Sequence, residues 1–182
     1  DSSVVALEGV FDTLNNVAPF NVNTRPPLAQ TFRELANDQT FTVVVNHFKS
    51  KGSCGTGAEA DQGDGQGCWN PTRVVAANAL LNWFAGSIVT NSFGVADTQN
   101  IIVMGDLNSY AQEDPIDALK AGGFFNLIED YHGLTAYGYI FSAVSGYLDY
   151  VMVNGALKPY VTGVEDWHIN SSEPDGRDYN DN

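Results

Sequence analysis

Asp106 and Asn108 stand two apart at the end of a short apolar run, Ile101-Ile102-Val103-Met104-Gly105-Asp106-Leu107-Asn108. Asp106 is a charged acceptor, and Asn108 brings an amide that both donates and accepts. Polar groups fixed where a hydrophobic strand stops suit binding and catalysis, although an ordinary Asx turn uses the same residue types. Two other strand-like runs deliver comparable groups. The apolar run before Asn46 leads into His47, Lys49 and Ser50, and Gly146-Tyr147-Leu148-Asp149-Tyr150-Val151-Met152-Val153 sets an aspartate among strand formers. Such a carboxylate is costly to bury unless it is paired, hydrogen-bonded or near a metal. An imidazole, two carboxylates and an amide are therefore expected to meet in one pocket. A site assembled from several strand ends has this look in sequence.

The elements that would position these groups alternate in type. Residues 28–35 and 40–48 read as a hairpin across Ala36-Asn37-Asp38-Gln39. A Gly-rich loop over 49–68 follows, then a helix from Asn70-Pro71, with Asn70 as cap, to about residue 85. The four apolar residues 101–104 predict a buried strand, and Gly105 permits the turn at its end. Asp114-Pro115 repeats the cap-and-proline pattern, and Gly122-Gly123 stops that second helix. Short strands are expected near 139–142, 147–153 and 160–168, while residues 1–27 read as irregular apart from brief pairing at Val4-Val5-Ala6-Leu7. The pattern predicts an α+β sandwich in one domain, with no repeat, low-complexity tail or linker.

With 182 residues, 43% of them hydrophobic, the chain can bury a full core. No apolar run approaches the roughly 18 residues of a membrane span. The net charge of −14 argues against indiscriminate coating of nucleic acid. A local cluster of Arg25, His47, Lys49, Lys51 and Arg73 could still serve a phosphate. Cys54 and Cys68 are the only cysteines and lie in the Gly-rich loop. A disulfide is the favoured reading over zinc, whose spacing and histidines are lacking, and closing the loop is worth about 3 kcal/mol. A bridge there implies an oxidising compartment. Asp61 and Asp64 are spaced as in some calcium loops, without the terminal glutamate of an EF-hand, so a structural Ca2+ is a secondary reading.

In order and flanks, Asn46-His47-Phe48-Lys49-Ser50, Gly105-Asp106-Leu107-Asn108-Ser109 and Tyr147-Leu148-Asp149-Tyr150 resemble the motifs of the endonuclease/exonuclease/phosphatase superfamily. The closest flavour is its bacterial extracellular nuclease branch. Its marks are Thr24-Arg25-Pro26-Pro27-Leu28-Ala29-Gln30-Thr31-Phe32, the cysteine-bearing insert from Lys51 to Trp69, and Trp167-His168-Ile169-Asn170. The resemblance implies a deoxyribonuclease-I-like fold of two packed mixed sheets flanked by helices. It implies a secreted or periplasmic, monomeric phosphodiesterase that uses Mg2+ or Mn2+ and takes nucleic acid as substrate. His47 would donate to a non-bridging phosphate oxygen. Asp106 would orient or deprotonate water or bind metal, Asn108 would hold the phosphoryl group, and Asp149 would support metal or leaving group. Arg25, Asn46 and Lys49 are the candidate substrate contacts, though Arg25-Pro26 also reads as a loop clamp and Lys49 as a cover for apolar surface. Tyr150 stands where many relatives carry His, and His132 and His168 read as structural. The family's early Asn and Glu have no counterpart, and no Asp-His dipeptide occurs for its final segment. Residues 1–182 are thus expected to be the C-terminal two-thirds of the domain and to cleave DNA poorly or not at all alone. A small-phosphoester enzyme of the same fold and a non-catalytic binding module are the alternatives.

Overall fold

The computed structural model describes residues 3–22, 24–87, 99–141, 144–168 and 171. Its strands are β1 (Val4–Thr13), β2 (Leu28–Glu34), β3 (Thr40–His47), β4 (Ile101–Asp106), β5 (Phe124–Asn126), β6 (Tyr139–Phe141), β7 (Val144–Gly146) and β8 (Asp149–Asn154). The helices are α1 (Asn70–Asn82), α2 (Asp114–Ala121) and α3 (Leu127–His132). Six strands form one mixed sheet in the order β1-β2-β3-β4-β8-β5, and β6 pairs with β7 in a separate ribbon. The fold is α+β with two unequal sheets and flanking helices.

Strands β3 and β4 run parallel, so the chain must cross over between them, and the disulfide-closed loop and α1 make that crossing. Alternation sorts the side chains into two faces. Val44 of β3, Val103 of β4 and Met152 of β8 are fully buried, in one core with Ala76, Ala77 and Leu80 of α1 and Ile116 and Leu119 of α2. Val43, Val45, Ile102, Met104 and Val151 alternate with them onto the opposite face, where Val45 is 49% exposed. Side chains at the strand ends on this second face reach solvent. Cross-strand pairing of Thr31 with Thr42, whose hydroxyls lie 2.8 Å apart in the core, helps fix the register.

Several boundaries differ from expectation. The N-terminal segment is not irregular: β1 runs for ten residues on the sheet edge, with its pairing interrupted between Ala6 and Phe11 around Gly9. Its side chains are exposed or only partly buried, which is why no clean apolar alternation announced it. Asn70 does not cap α1. Trp69 holds that position in a left-handed conformation, and the Asn70 amide instead donates to Asp114. Glu113, not Asp114, is the N-cap of α2, and Gly122 follows that helix as expected. The strand anticipated over 160–168 is absent: a 3-10 turn, Lys158–Tyr160, leads into an extended stretch without strand pairing. Residues 169–170, within the family-like Trp167 motif, and Ser142 of the 139–142 strand lie outside the described residues.

Candidate active site

Register brings the separated motifs together. His47 is the cross-strand partner of Asp106 on β3 and β4, and Asp106 is the partner of Asp149 on β4 and β8. The three side chains therefore form one row on the open face of the sheet. His47 Nε2 lies 3.5 Å from Asp106 Oδ2. Arg25 Nη1 lies 2.8 Å from His47 Nδ1. A guanidinium only donates, so Nδ1 accepts, and a neutral ring carries its proton on Nε2, towards Asp106.

Gly105 makes the strand end possible. It adopts φ 115°, and a Cβ there would fall 2.2 Å from the Asn46 carbonyl oxygen, so only glycine lets β3 and β4 close up beside the row. Asn108, with φ 48°, turns back on the strand. Its backbone N–H donates to Asp106 Oδ1 at 2.8 Å, while its Nδ2 donates to Asp106 Oδ2 and to the Phe48 carbonyl, both at 3.1 Å. Both amide hydrogens are committed to acceptors, so Asn108 pins Asp106 and is not free to donate to a phosphoryl group.

Asn46 is turned away from the row. It is 4% exposed on the helix-covered face, with Nδ2 donating to the carbonyls of Val44 and Met104, so it braces two strands on the side away from His47 and Asp106. Lys49 extends its Nζ over the Trp69 ring at 4.7 Å and lines a cavity with Arg25 and His47. The basic cluster expected to face phosphate shrinks accordingly. Arg73 is fully buried, donating to Ser109 Oγ and to the carbonyls of Cys68 and Gln66, 3.5 Å from Glu113. Lys51 pairs with the same Glu113. Burial pushes the Glu113 carboxyl up, while Lys51 and Arg73 pull it back. This network escaped the sequence reading because nothing in the spacing of Arg73 and Glu113 marks them as partners. Its effect is to tie the disulfide loop, closed between Cys54 and Cys68, to the residue after Asn108. Tyr150 donates its hydroxyl to the Ser109 carbonyl from the core side.

Asp149 keeps contact with solvent, yet neighbours crowd its carboxyl. That burial, then the facing Asp106 carboxylate, pushes it above the ordinary range, with His47 pulling the other way. Two oxygen-donor carboxylates held in mutual repulsion fit a hard divalent cation such as Mg2+, which protein chains bind through one or two carboxylates plus water and phosphate. Among the described residues no three His, Cys, Asp or Glu side chains converge as a closed protein cage. In the calcium-like loop, Asp61 Oδ1 and Asp64 Oδ1 accept from the N–H groups of Gly63 and Gln66 in local Asx turns.

The mixed sheet thus carries an imidazole and two carboxylates in one row at its strand ends. The sequence profile of the Endonuclease/Exonuclease/phosphatase family matches residues 9–172, and the chain belongs to that family. The human Nocturnin catalytic domain with bound sulfate has the same fold, with TM-score 0.56 and 16% identity over 85% of this chain and 49% of that one. A mannosyl-6-phosphatase from Bacteroides thetaiotaomicron matches with TM-score 0.52 and 14% identity, over 85% of this chain and 54% of that one. TDP2 of D. rerio, complexed with single strand DNA product, matches with TM-score 0.53 and 12% identity, over 86% and 56%. The chain thus spans about half the length of these structures. No curated protein sequence matches it significantly.

Proposed function

We propose that this row belongs to a secreted, divalent-metal-dependent phosphodiesterase, a nuclease that hydrolyses DNA. The row itself carries the reading: His47, Asp106 and Asp149 are successive cross-strand partners on one exposed sheet face. His47 donates from Nε2 to a non-bridging phosphate oxygen, its ring held through Nδ1 by Arg25. Asp106, pinned by both donors of Asn108, orients the attacking water and accepts its proton. Asp106 and Asp149 are the residues that would hold Mg2+ or Mn2+. Charge stabilisation at the phosphoryl oxygens is what such a bound cation supplies. Arg25 and Lys49 line a basic cavity of about 410 Å³ beside His47, suited to backbone phosphate. The disulfide supports an oxidising compartment, and the net charge of −14 suits a secreted surface. Among the described residues no helix is long and apolar enough to cross a membrane.

The test is plasmid cleavage in Mg2+ by this chain within a polypeptide as long as its structural matches. We expect nicking that chelator abolishes and Asp106→Asn lowers at least 100-fold. Turnover of small phosphoesters without DNA cleavage would favour the small-phosphoester alternative. DNA binding without any turnover would favour a binding module.

A further inference from the structure

The row has a cavity at either end, and the two are chemically opposite. Beside β3 lies the basic one, lined by Arg25, His47, Lys49 and Thr24, whose Oγ1 is buried without a hydrogen-bond partner. Beside β8 lies a second cavity of about 310 Å³, lined by Asp149, Tyr139, Tyr147, Trp167, Asp166 and Glu165. Among the described residues lining it, none is Lys, Arg or His. Beyond the row, Glu165 and Asp166 at this mouth repel phosphate, so the phosphate end of a ligand belongs toward the basic cavity.

The walls are aromatic. Trp167 is 80% exposed, an indole face left to solvent at the cavity. Tyr139, 39% exposed, is the other aromatic side chain open at the cavity, whereas Tyr147 and Tyr150 are buried beneath it and held through their hydroxyls by Asn126 and Ser109. Asp166 is held by the Tyr137 N–H at 3.0 Å through Oδ2. A Cβ on Gly138 would stand 3.9 Å from Asp166 Oδ1 and from the Trp167 carbonyl, so the missing side chain keeps the space beside both open. Asp166 Oδ2 also lies 3.9 Å from His168 Nδ1, which leaves Oδ1 and Glu165 as the acceptors beside the aromatic faces, an arrangement that matches a neutral ring carrying N–H donors. Nucleobases stack on aromatic side chains in this way.

We infer that the β8-side cavity receives a nucleobase attached to the phosphate on the row, and that it prefers bases with an exocyclic amino group. The inference rests on the phosphodiesterase reading of the row and adds which end of the site faces the base. Adenine, cytosine and guanine present amino donors that Asp166 and Glu165 can accept, whereas uracil carries no exocyclic amino group.

The purified chain can be titrated with adenosine, cytidine, uridine, ribose and inorganic phosphate while tryptophan emission is recorded. Adenosine and cytidine should change the emission, at least 5-fold more tightly than uridine, and Trp167→Phe should remove the change. Ribose and phosphate should leave the emission unaltered. Gly138→Val, which fills the cavity, should weaken adenosine at least 10-fold yet leave phosphate binding, followed by 31P line broadening, intact. Tyr139→Leu provides a second test should that variant not fold. Arg25→Ala should do the reverse, weakening phosphate and sparing adenosine. Equal binding of uridine or ribose, no response to adenosine, or indifference to both cavity variants would overturn the inference. Adenosine binding without any phosphate binding would instead count against the phosphodiesterase reading and leave the base pocket standing.

Discussion

Asn108 spends its backbone and side-chain donors inside the proposed site. Its backbone N–H and side-chain amide both close on Asp106, and the second amide hydrogen goes to Phe48, so its role is to aim a carboxylate. Asn108→Ala should therefore lower kcat by about 10–100-fold, the usual loss when an orienting partner is removed, with KM little changed. Steady-state kinetics on a short DNA substrate would check this, and a rise in KM alone would restore a direct phosphate contact. Asp149 allows a test without substrate. Its carboxyl is raised by burial and by Asp106, so its ionised form opposes folding. That cost is absent below the unfolded aspartate range, about pH 3.9, and complete above the raised folded value. Asp149→Asn in chelating buffer should accordingly raise the thermal midpoint at neutral pH, with the gain vanishing as pH falls below about 4. A loss of stability at neutral pH would contradict the facing-carboxylate account.

At the scale of elements, the disulfide loop, α1 and the turn after β4 are locked by one buried cation. Arg73 holds the Cys68 and Gln66 carbonyls and the Ser109 hydroxyl, and pairs with Glu113. Arg73→Met would leave Glu113 buried with only Lys51 and would strand those acceptors. We expect a loss of about 3–5 kcal/mol in urea unfolding, and a loss under about 1 kcal/mol would refute the lock. The sequence made some of this legible and hid the rest for physical reasons. Val44, Val103 and Met152 sit in strongly apolar runs, so their strands and the motifs at their ends could be read directly. Edge strand β1 and three-residue β5 bury too little to leave a period, and the Phe124–Asn126 segment owes its pairing to β8. The Asn-Pro and Asp-Pro pairs marked both helix starts but shifted the caps by one residue, because tertiary contacts claimed the side chain of Asn70. Likewise, strand alternation could have placed Asn46 on the face opposite His47, whereas the partnership of Arg73 with Glu113 depends on two helices docking.

For the whole molecule, charge is distributed against its total. The chain carries −14 overall, yet one cavity beside His47 is basic and the one beside Asp149 is acidic and aromatic. With Lys51 and Arg73 tied to Glu113, Arg25 and Lys49 are the cations lining that basic cavity. Apolar side chains also remain on the sheet face that bears the row, among them Val45, Leu28 and Phe125, in a chain about half as long as the structures it resembles. Three distant stretches of chain build the row to which the proposed function assigns cation and phosphate binding. The chain has three histidines, His47, His132 and His168, and their ring signals can be followed together by NMR as Mn2+ is added. The row predicts that His47 broadens first and that Asp106→Asn abolishes the effect. Broadening that begins at His132 or His168, or that survives Asp106→Asn unchanged, would contradict it.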